Sequence, residues 1–387
     1  MEVPFMDLKR QYSEIKDEID NAIQETLDGC AFVAGEKVRQ FEKRFAEYCG
    51  VHHVVGVSSG TSALYVALKA LGVGKGDIVV TVPFTFIATV EAVTLTGARP
   101  LFIDIVKDSY NISLKKLKSY IERCCEWNSK NRTLVDKSTN LTVKGLIPVH
   151  LYGLMSDMDE ITEIAGQYNL FVLEDAAQAH GAIYKDRKAG SIGHIGCFSF
   201  YPSKNLGAYG QGGAATTNDA RLAEKMRMFI DHGQREKYQH IHEGWNFKMD
   251  GLQAAVLRAK LSYLDRWNSA RRKHAQRYNE LLKDTDGIVL PEELPGRKHV
   301  YHLYVIHVKD RASLQEYLKN AQIGYSIHYP IALHLQNAYH YLGYKRGDFP
   351  DTEECAQGVL SLPMFPELTA QELDYVCSKI KEWSKNK

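Results

Sequence analysis

From His53 to Leu173 short apolar runs alternate with helix-forming segments, and this alternation limits the possible folds more than any other feature. Runs at 53–57, 78–82, 100–103, 145–150 and 170–173 read as strands, with helices expected over 63–71, 86–95, 114–125 and 157–168. A helix between successive strands is the crossover of a βαβ unit. The expected class is therefore α/β, a mostly parallel central sheet flanked by helices. Ligands on such sheets collect outside the carboxyl ends of the strands. Two amphipathic helices are expected ahead of the alternation, over 7–27 and 36–48, and residues 127–144 read as a long irregular loop. A helix at 219–230 and a histidine- and aromatic-rich connector at 232–248 lead into one long helical stretch over 249–282. The expected organisation is a large α/β unit at 1–250, then a linking helix and a smaller C-terminal α+β unit at 251–387. The smaller unit should hold strands at 301–308 and 325–329 and helices at 313–321, 352–360 and 369–382.

Candidate chemistry gathers at the expected strand ends. Residues 197–204, C-F-S-F-Y-P-S-K, begin as an alternating apolar strand and end on Lys204, before the glycine-rich N-L-G-A-Y-G-Q-G-G. A lysine just past a buried strand, beside backbone that can admit a flat ligand, suits covalent imine chemistry. A surface lysine after a turn has the same local sequence. Ser58-Ser59-Gly60-Thr61-Ser62 links a strand to a helix, where free backbone N–H groups and the helix dipole favour an anion. An ordinary N-cap by Ser59 or Thr61 fits equally well. Asp175 ends another strand and is followed by small alanines; Ser199 lies five residues before Lys204. Pyridoxal phosphate requires an amine for its aldehyde, a carboxylate for its pyridine nitrogen, donors for its phosphate and an apolar face for its ring. Each of these occurs at a strand or helix end. Taken singly, Asp175 as a cap, Phe86 as core, Ser199 bonded to its own backbone, Asn246 in a turn and His328 half-buried are as good.

Other classes fit less well. Basic and acidic residues number 48 and 47, for a net charge of +1 without long single-sign blocks, so no nucleic-acid partner is expected. The seven cysteines are scattered, with no C-x-x-C pair, which suggests free thiols and no metal site. No apolar run approaches membrane-spanning length and the N-terminus lacks a signal-like core, so a cytoplasmic location is expected. Gly72-Val73-Gly74-Lys75-Gly76 follows a helix and precedes a strand, the reverse of a dinucleotide fingerprint.

The segments V-S-S-G-T-S-A-L, V-P-F-T-F-I-A-T, P-V-H-L-Y-G, E-D-A-A-Q-A-H-G, F-S-F-Y-P-S-K-N-L-G and G-W-N-F-K-M-D-G-L-Q-A-A occur in this order. Together they resemble the DegT/StrS-type aminotransferases, fold-type-I pyridoxal-phosphate enzymes of nucleotide-linked ketosugars, and the similarity runs almost end to end. The resemblance implies that Lys204 bonds the cofactor aldehyde and later shuttles the proton. It implies Asp175 at the pyridine nitrogen, Gln178 near the ring's phenolic oxygen, and Gly60, Thr61 and Ser199 on the phosphate. Phe86 would stack on the ring, and His328 and Tyr329 would face the substrate. Asn246, and less closely Lys248 where arginine is commoner, would complete the phosphate site of a neighbouring subunit, making a homodimer with shared active sites. H-G-Q-R-E-K-Y, P-V-H-L-Y-G and I-H-Y-P are most similar to members that aminate C3 of dTDP-linked 3-keto-6-deoxyhexoses, with glutamate as the implied donor. Members acting on UDP-linked 3-keto-N-acetylglucosaminuronate or on 4-ketosugars share part of this pattern. Pyridoxamine-dependent dehydratases of the same fold carry histidine in place of Lys204, and regulatory relatives are expected to have a degraded site.

Overall fold

The computed structural model describes residues 1–386. Its central sheet runs, in spatial order, through His53–Val57, Gly213–Thr217, Ile195–Ser199, Phe171–Asp175, Thr142–Leu146, Asp77–Thr81 and Arg99–Phe102. Neighbours from Ile195–Ser199 to Arg99–Phe102 pair in parallel, as the alternation predicts. Gly213–Thr217 alone in this row runs the other way, antiparallel to both neighbours. The apolar pattern does not reveal this strand, because its residues, G-A-A-T-T, are small yet all buried. The small residues are needed there: a Cβ on Gly213 would lie 2.4 Å from the Ser59 carbonyl carbon. The strand thus lets the turn at Ser59 close against the sheet end.

Several boundaries differ from the sequence reading. The N-terminal helix is two, Leu8–Glu14 and Lys16–Asp28, parted at the buried, non-helical Ile15. The stretch at 249–282 breaks into Gly251–Leu261 and Leu264–Leu282. Residues 127–144 are not an irregular loop. Cys125–Asn128 and Thr133–Asp136 form a hairpin whose inner strand pairs with Thr142 and Val143. Asp136 organises the return, accepting from the Ser138 and Thr139 backbone at 3.1 and 2.9 Å and from both hydroxyls. The outer strand is exposed after Cys125, so its polar residues carry no two-residue apolar alternation.

The C-terminal residues build a separate core of Tyr278, Tyr304, Leu318, Leu360 and Ile380 around the strands Ile288–Val289, Tyr304–Val308 and Val359–Leu362. The helix expected to 360 stops at Gly358, because Val359–Leu362 pairs antiparallel with Tyr304–Val308. The strand expected at 325–329 is reduced to one bridge, Ser326 with Ser361. This unit is fastened to the large sheet next to that segment. Leu333 N–H donates to Pro83 O at 2.9 Å, and buried Asp104 accepts from Thr352 Oγ1 and N–H at 2.7 and 3.0 Å. Leu333, Tyr339, Leu342 and Phe349 pack on Val90 and Phe102 of the large unit. His328 and Tyr329 are therefore held as a fixed wall over the sheet ends.

Candidate active site

At the carboxyl ends of Phe171–Asp175 and Ile195–Ser199 lies a cavity of about 550 Å³. It collects Gly60, Thr61, Phe86, Asp175, Gln178, Ser199, Lys204, His328 and Tyr329 from five separate stretches of chain. Of the residues singled out in the sequence, Asn246 and Lys248 are the two that do not reach this chain's cavity.

Lys204 stands after a turn closed by its own N–H to Tyr201 O at 2.8 Å, with its side chain half-buried against the cavity. Burial pushes its ammonium down to about 8, and the Asp175 charge works in the opposite direction. The amine thereby gives up its proton more readily near neutrality than an exposed lysine does.

Asp175 is buried and its carboxylate is held at both oxygens. Oδ2 accepts from Thr89 Oγ1 at 2.7 Å, and Oδ1 accepts from Ala177 N–H at 3.2 Å. The Thr89 proton goes to the carboxylate, so Thr85 donates to Thr89 Oγ1 across 2.9 Å. Burial raises the carboxyl above its ordinary value; Thr89, Ala177 and Lys204 pull against that rise. The neighbouring strand fixes the backbone through Asp175 N–H to Pro148 O at 2.9 Å and His150 N–H to Asp175 O at 3.0 Å. Behind it, buried Glu174 accepts from His150 Nε2 at 2.9 Å and from the Gly190, Ile192 and Gly193 N–H groups at 2.8, 2.7 and 2.7 Å.

The Ser59–Thr61 turn is the helix cap that one of its sequence readings expects, and it leaves backbone donors free for the other. Ser59 caps the Gly60–Ala70 helix in a reciprocal box with Ser62, accepting from its N–H at 3.1 Å while Ser62 Oγ accepts from Ser59 N–H at 2.9 Å. The Gly60 and Thr61 N–H groups, which make no bond among the described residues, are left for the cavity. A Cβ on Gly60 would sit 2.6 Å from Ser199 Cβ, so glycine is required for that approach. The result is a cup of N–H and hydroxyl donors at a helix N-terminus, suited to a phosphate.

Gln178 is held by Tyr152 N–H donating to Oε1 at 2.7 Å, while its Nε2 donates to Tyr329 Oη at 3.1 Å. Phe86 is 56% exposed at the mouth, its ring 6.0 Å from that of Tyr329. His328 bonds Ser361 Oγ through Nδ1 at 2.9 Å, and burial, with the Lys204 charge, brings it down to about 4. Asn246 is exposed on the connector beside the cup, where Phe247 O accepts from Ser58 N–H at 2.8 Å. Lys248 makes an ion pair with Asp231 of its own chain.

Sequence reasoning missed Thr85, Thr89, Tyr201, Gln211 and His302, all of which line the cavity. The two threonines stand in V-P-F-T-F-I-A-T, and their helical spacing of four was the available signal. The fit to pyridoxal phosphate rests on this donor set: one amine, one buried carboxylate, and a cup where Gly60 admits a group that any Cβ would exclude.

Two relatives match along almost the whole chain. A "pleiotropic regulatory protein" of Geobacillus stearothermophilus is 42% identical over 99% of both chains. A dTDP-3-amino-3,4,6-trideoxy-alpha-D-glucose transaminase of Streptomyces venezuelae is 40% identical over 99% of this chain and 96% of its own. The crystal structure of S. venezuelae DesV in complex with a ketimine intermediate superposes with a TM-score of 0.92 at 39% identity, covering 99% of each chain. The DegT/DnrJ/EryC1/StrS aminotransferase family model matches residues 13–381. With Lys204, Asp175 and the cup in one cavity, the chain belongs to that family and is a pyridoxal-phosphate-dependent aminotransferase of the fold-type-I class.

Proposed function

We propose that this enzyme transfers the amino group of glutamate to the C3 ketone of a dTDP-linked 3-keto-6-deoxyhexose, making an amino sugar. The observation that carries the reading is the joint placement of Lys204, Asp175 and the Gly60–Ser199 cup in one cavity, in a chain similar to a dTDP-amino-sugar transaminase. Bound pyridoxal phosphate supplies an electron sink that accepts charge from the amino donor's Cα. Lys204 would hold the cofactor's aldehyde, and its free amine would take the proton from Cα of the donor onto Nζ and, in the second half, deliver a proton from Nζ to C3 of the sugar. Its depressed basicity enlarges the neutral fraction available for that work. Asp175, fixed by Thr89 and Ala177, opposes loss of the proton at the pyridine nitrogen. Gln178 orients Nε2 along the cavity wall, and Phe86, Tyr329 and His328 cover the ring and the entering sugar.

The intact set also bears on the regulatory reading that a similar protein's name raises, since a chain without chemistry has no need of a desolvated lysine beside a desolvated carboxylate. With glutamate alone, the visible absorption of the loaded enzyme is expected to bleach. A panel of dTDP- and UDP-linked 3- and 4-ketosugars, read by mass spectrometry, should then show amination fastest with the dTDP-linked 3-keto sugar. A spectrum indifferent to glutamate removes the proposed donor. Amination of a UDP-linked or 4-keto substrate alone removes the proposed sugar.

The site is proposed to be completed by a second copy, with Asn246, and secondarily Lys248, of the partner subunit on the phosphate. Among the described lining residues Lys204 is the only lysine or arginine, so a phosphate dianion in the cup has no cation of this chain dedicated to it. Exposed Phe32, Val33, Tyr201 and Tyr209 give the surrounding surface the apolar character of an interface. Mixing Lys204→Ala with Asn246→Asp subunits is expected to restore activity neither variant has alone, because one site of each mixed dimer is then intact. No recovery after subunit exchange shows the sites to be self-contained.

A further inference from the structure

Lys204 is followed by Asn205, a buried side chain whose whole bonding capacity is spent inside the protein. Asn205 Nδ2 donates to Asn268 Oδ1 at 2.8 Å and to Val300 O at 3.1 Å, so its oxygen is the atom facing His302 Nδ1 at 3.1 Å. The acceptor there requires that Nδ1 carry the proton. His302 Nε2 is then an unprotonated lone pair. It bonds to no group among the described residues, it is not enclosed like the orphaned ring nitrogens of His180, and the residue lines the cavity with Lys204. The backbone holds the ring in place: His302 N–H donates to Tyr152 O at 2.8 Å, and Arg271 Nη1 donates to His302 O at 3.2 Å. Burial, and then the positive charges of Lys204 and Arg271, keep this imidazole from protonating.

We propose that His302 is a positioning residue whose Nε2 is a permanent acceptor for the Lys204 amine whenever that amine is not bonded to the cofactor. The proposal rests on the reading of Lys204 as the reacting amine. A displaced lysine is a flexible chain with many rotamers open to it. If it is to take a proton from one carbon and deliver it to another, it must be kept at the cavity wall between the two events. A donor or a charged group would repel it or compete for its proton. A neutral imidazole locked in the Nδ1–H tautomer can only accept. Asn205 sets that tautomer and is also the residue next to the lysine, so the acceptor and the amine are referenced to the same point of backbone.

The acceptor favours the ammonium form of Lys204, so its removal moves the Lys204 pKa down. In His302→Phe, which keeps the ring volume, Lys204 reactivity in the cofactor-free protein, read by competitive acylation against pH and peptide mass spectrometry, is expected to titrate about one pH unit lower than in wild type, a tenfold shift. In the loaded enzyme the half-reaction with glutamate should slow about 10- to 100-fold in kcat with KM little changed. An unchanged Lys204 titration overturns the proposal. Nitrogen NMR of wild-type protein tests it without any variant: His302 should show protonated Nδ1 and unprotonated Nε2 from pH 6 to 8. The opposite tautomer, or a charged ring, refutes it even if the phenylalanine variant fails to fold. Neither measurement on the cofactor-free protein depends on the sugar or donor. A wrong substrate assignment would leave both as stated, whereas a wrong proposal would fail them in an enzyme that still aminates its sugar.

Discussion

Lys204→Ala is expected to lower turnover by at least about 10⁴-fold, the upper range for one positioned proton-transfer group, while the protein folds normally. The two halves of this result have different causes. Chemistry is lost because no other amine lines the cavity among the described residues, and the histidines nearest to it, His328 and His302, are held neutral by burial and already bonded at Nδ1. The fold survives because the lysine side chain is a liability to it. Its pKa falls from 10.5 to about 8 on folding, so the unfolded chain binds the proton more tightly. Between those values stability rises with pH, and below about 8 the full penalty is present. The cofactor-free alanine variant should therefore melt at or above the wild-type temperature at pH 7, and the difference should shrink as pH rises through 8 toward 10.5. A variant that melts lower at pH 7, or that turns over within tenfold of wild type, removes Lys204 from the role assigned to it.

The parts of this site that were legible in the sequence are those that follow from strand ends. Asp175 and Lys204 each close a strand or the turn after it, and the parallel order of those strands brings both to one edge of the sheet. The Ser59–Thr61 turn was legible as a helix start; the donor cup it forms besides the cap depends on Gly213 and Ser199 approaching from strands far along the chain. Gly213–Thr217 was hidden because close approach demands small residues, and small residues carry no apolar signal. The hairpin at 125–136 was hidden because one of its strands is exposed and polar after its first residue. His302 could not be found at all. Its meaning comes from Asn205 and Asn268, buried polar partners that lie with it on three stretches far apart in sequence and meet only in the folded chain.

Asp175→Asn is the second large effect expected, a loss of about 10²- to 10³-fold in kcat, the usual cost of deleting one preorganised electrostatic group. The substitution preserves shape, and an asparagine oxygen can still accept from Thr89 Oγ1, so the cup and the lysine keep their places. What disappears is the negative charge that holds a proton on the pyridine nitrogen, and with it the driving force for drawing charge out of the donor's Cα. The dependence on pH separates this from simple damage. In the cofactor-free protein burial raises the Asp175 carboxyl above 3.8, so its protonation, followed by carbon NMR of the carboxyl, should lie above the range of an ordinary aspartate. In Asp175→Asn that titration should vanish, while kcat of the loaded enzyme stays low. The sign for stability is the reverse of a salt-bridged aspartate: folding favours the protonated carboxyl, so wild-type stability falls as pH rises through the raised pKa. The cofactor-free asparagine variant should accordingly be no less stable than wild type at neutral pH. A variant with wild-type kcat would show that another group supports the ring nitrogen. Thr89→Val provides the graded control: it leaves the charge but removes the strongest donor to it, so the titration of Asp175 in the cofactor-free protein should shift upward without vanishing.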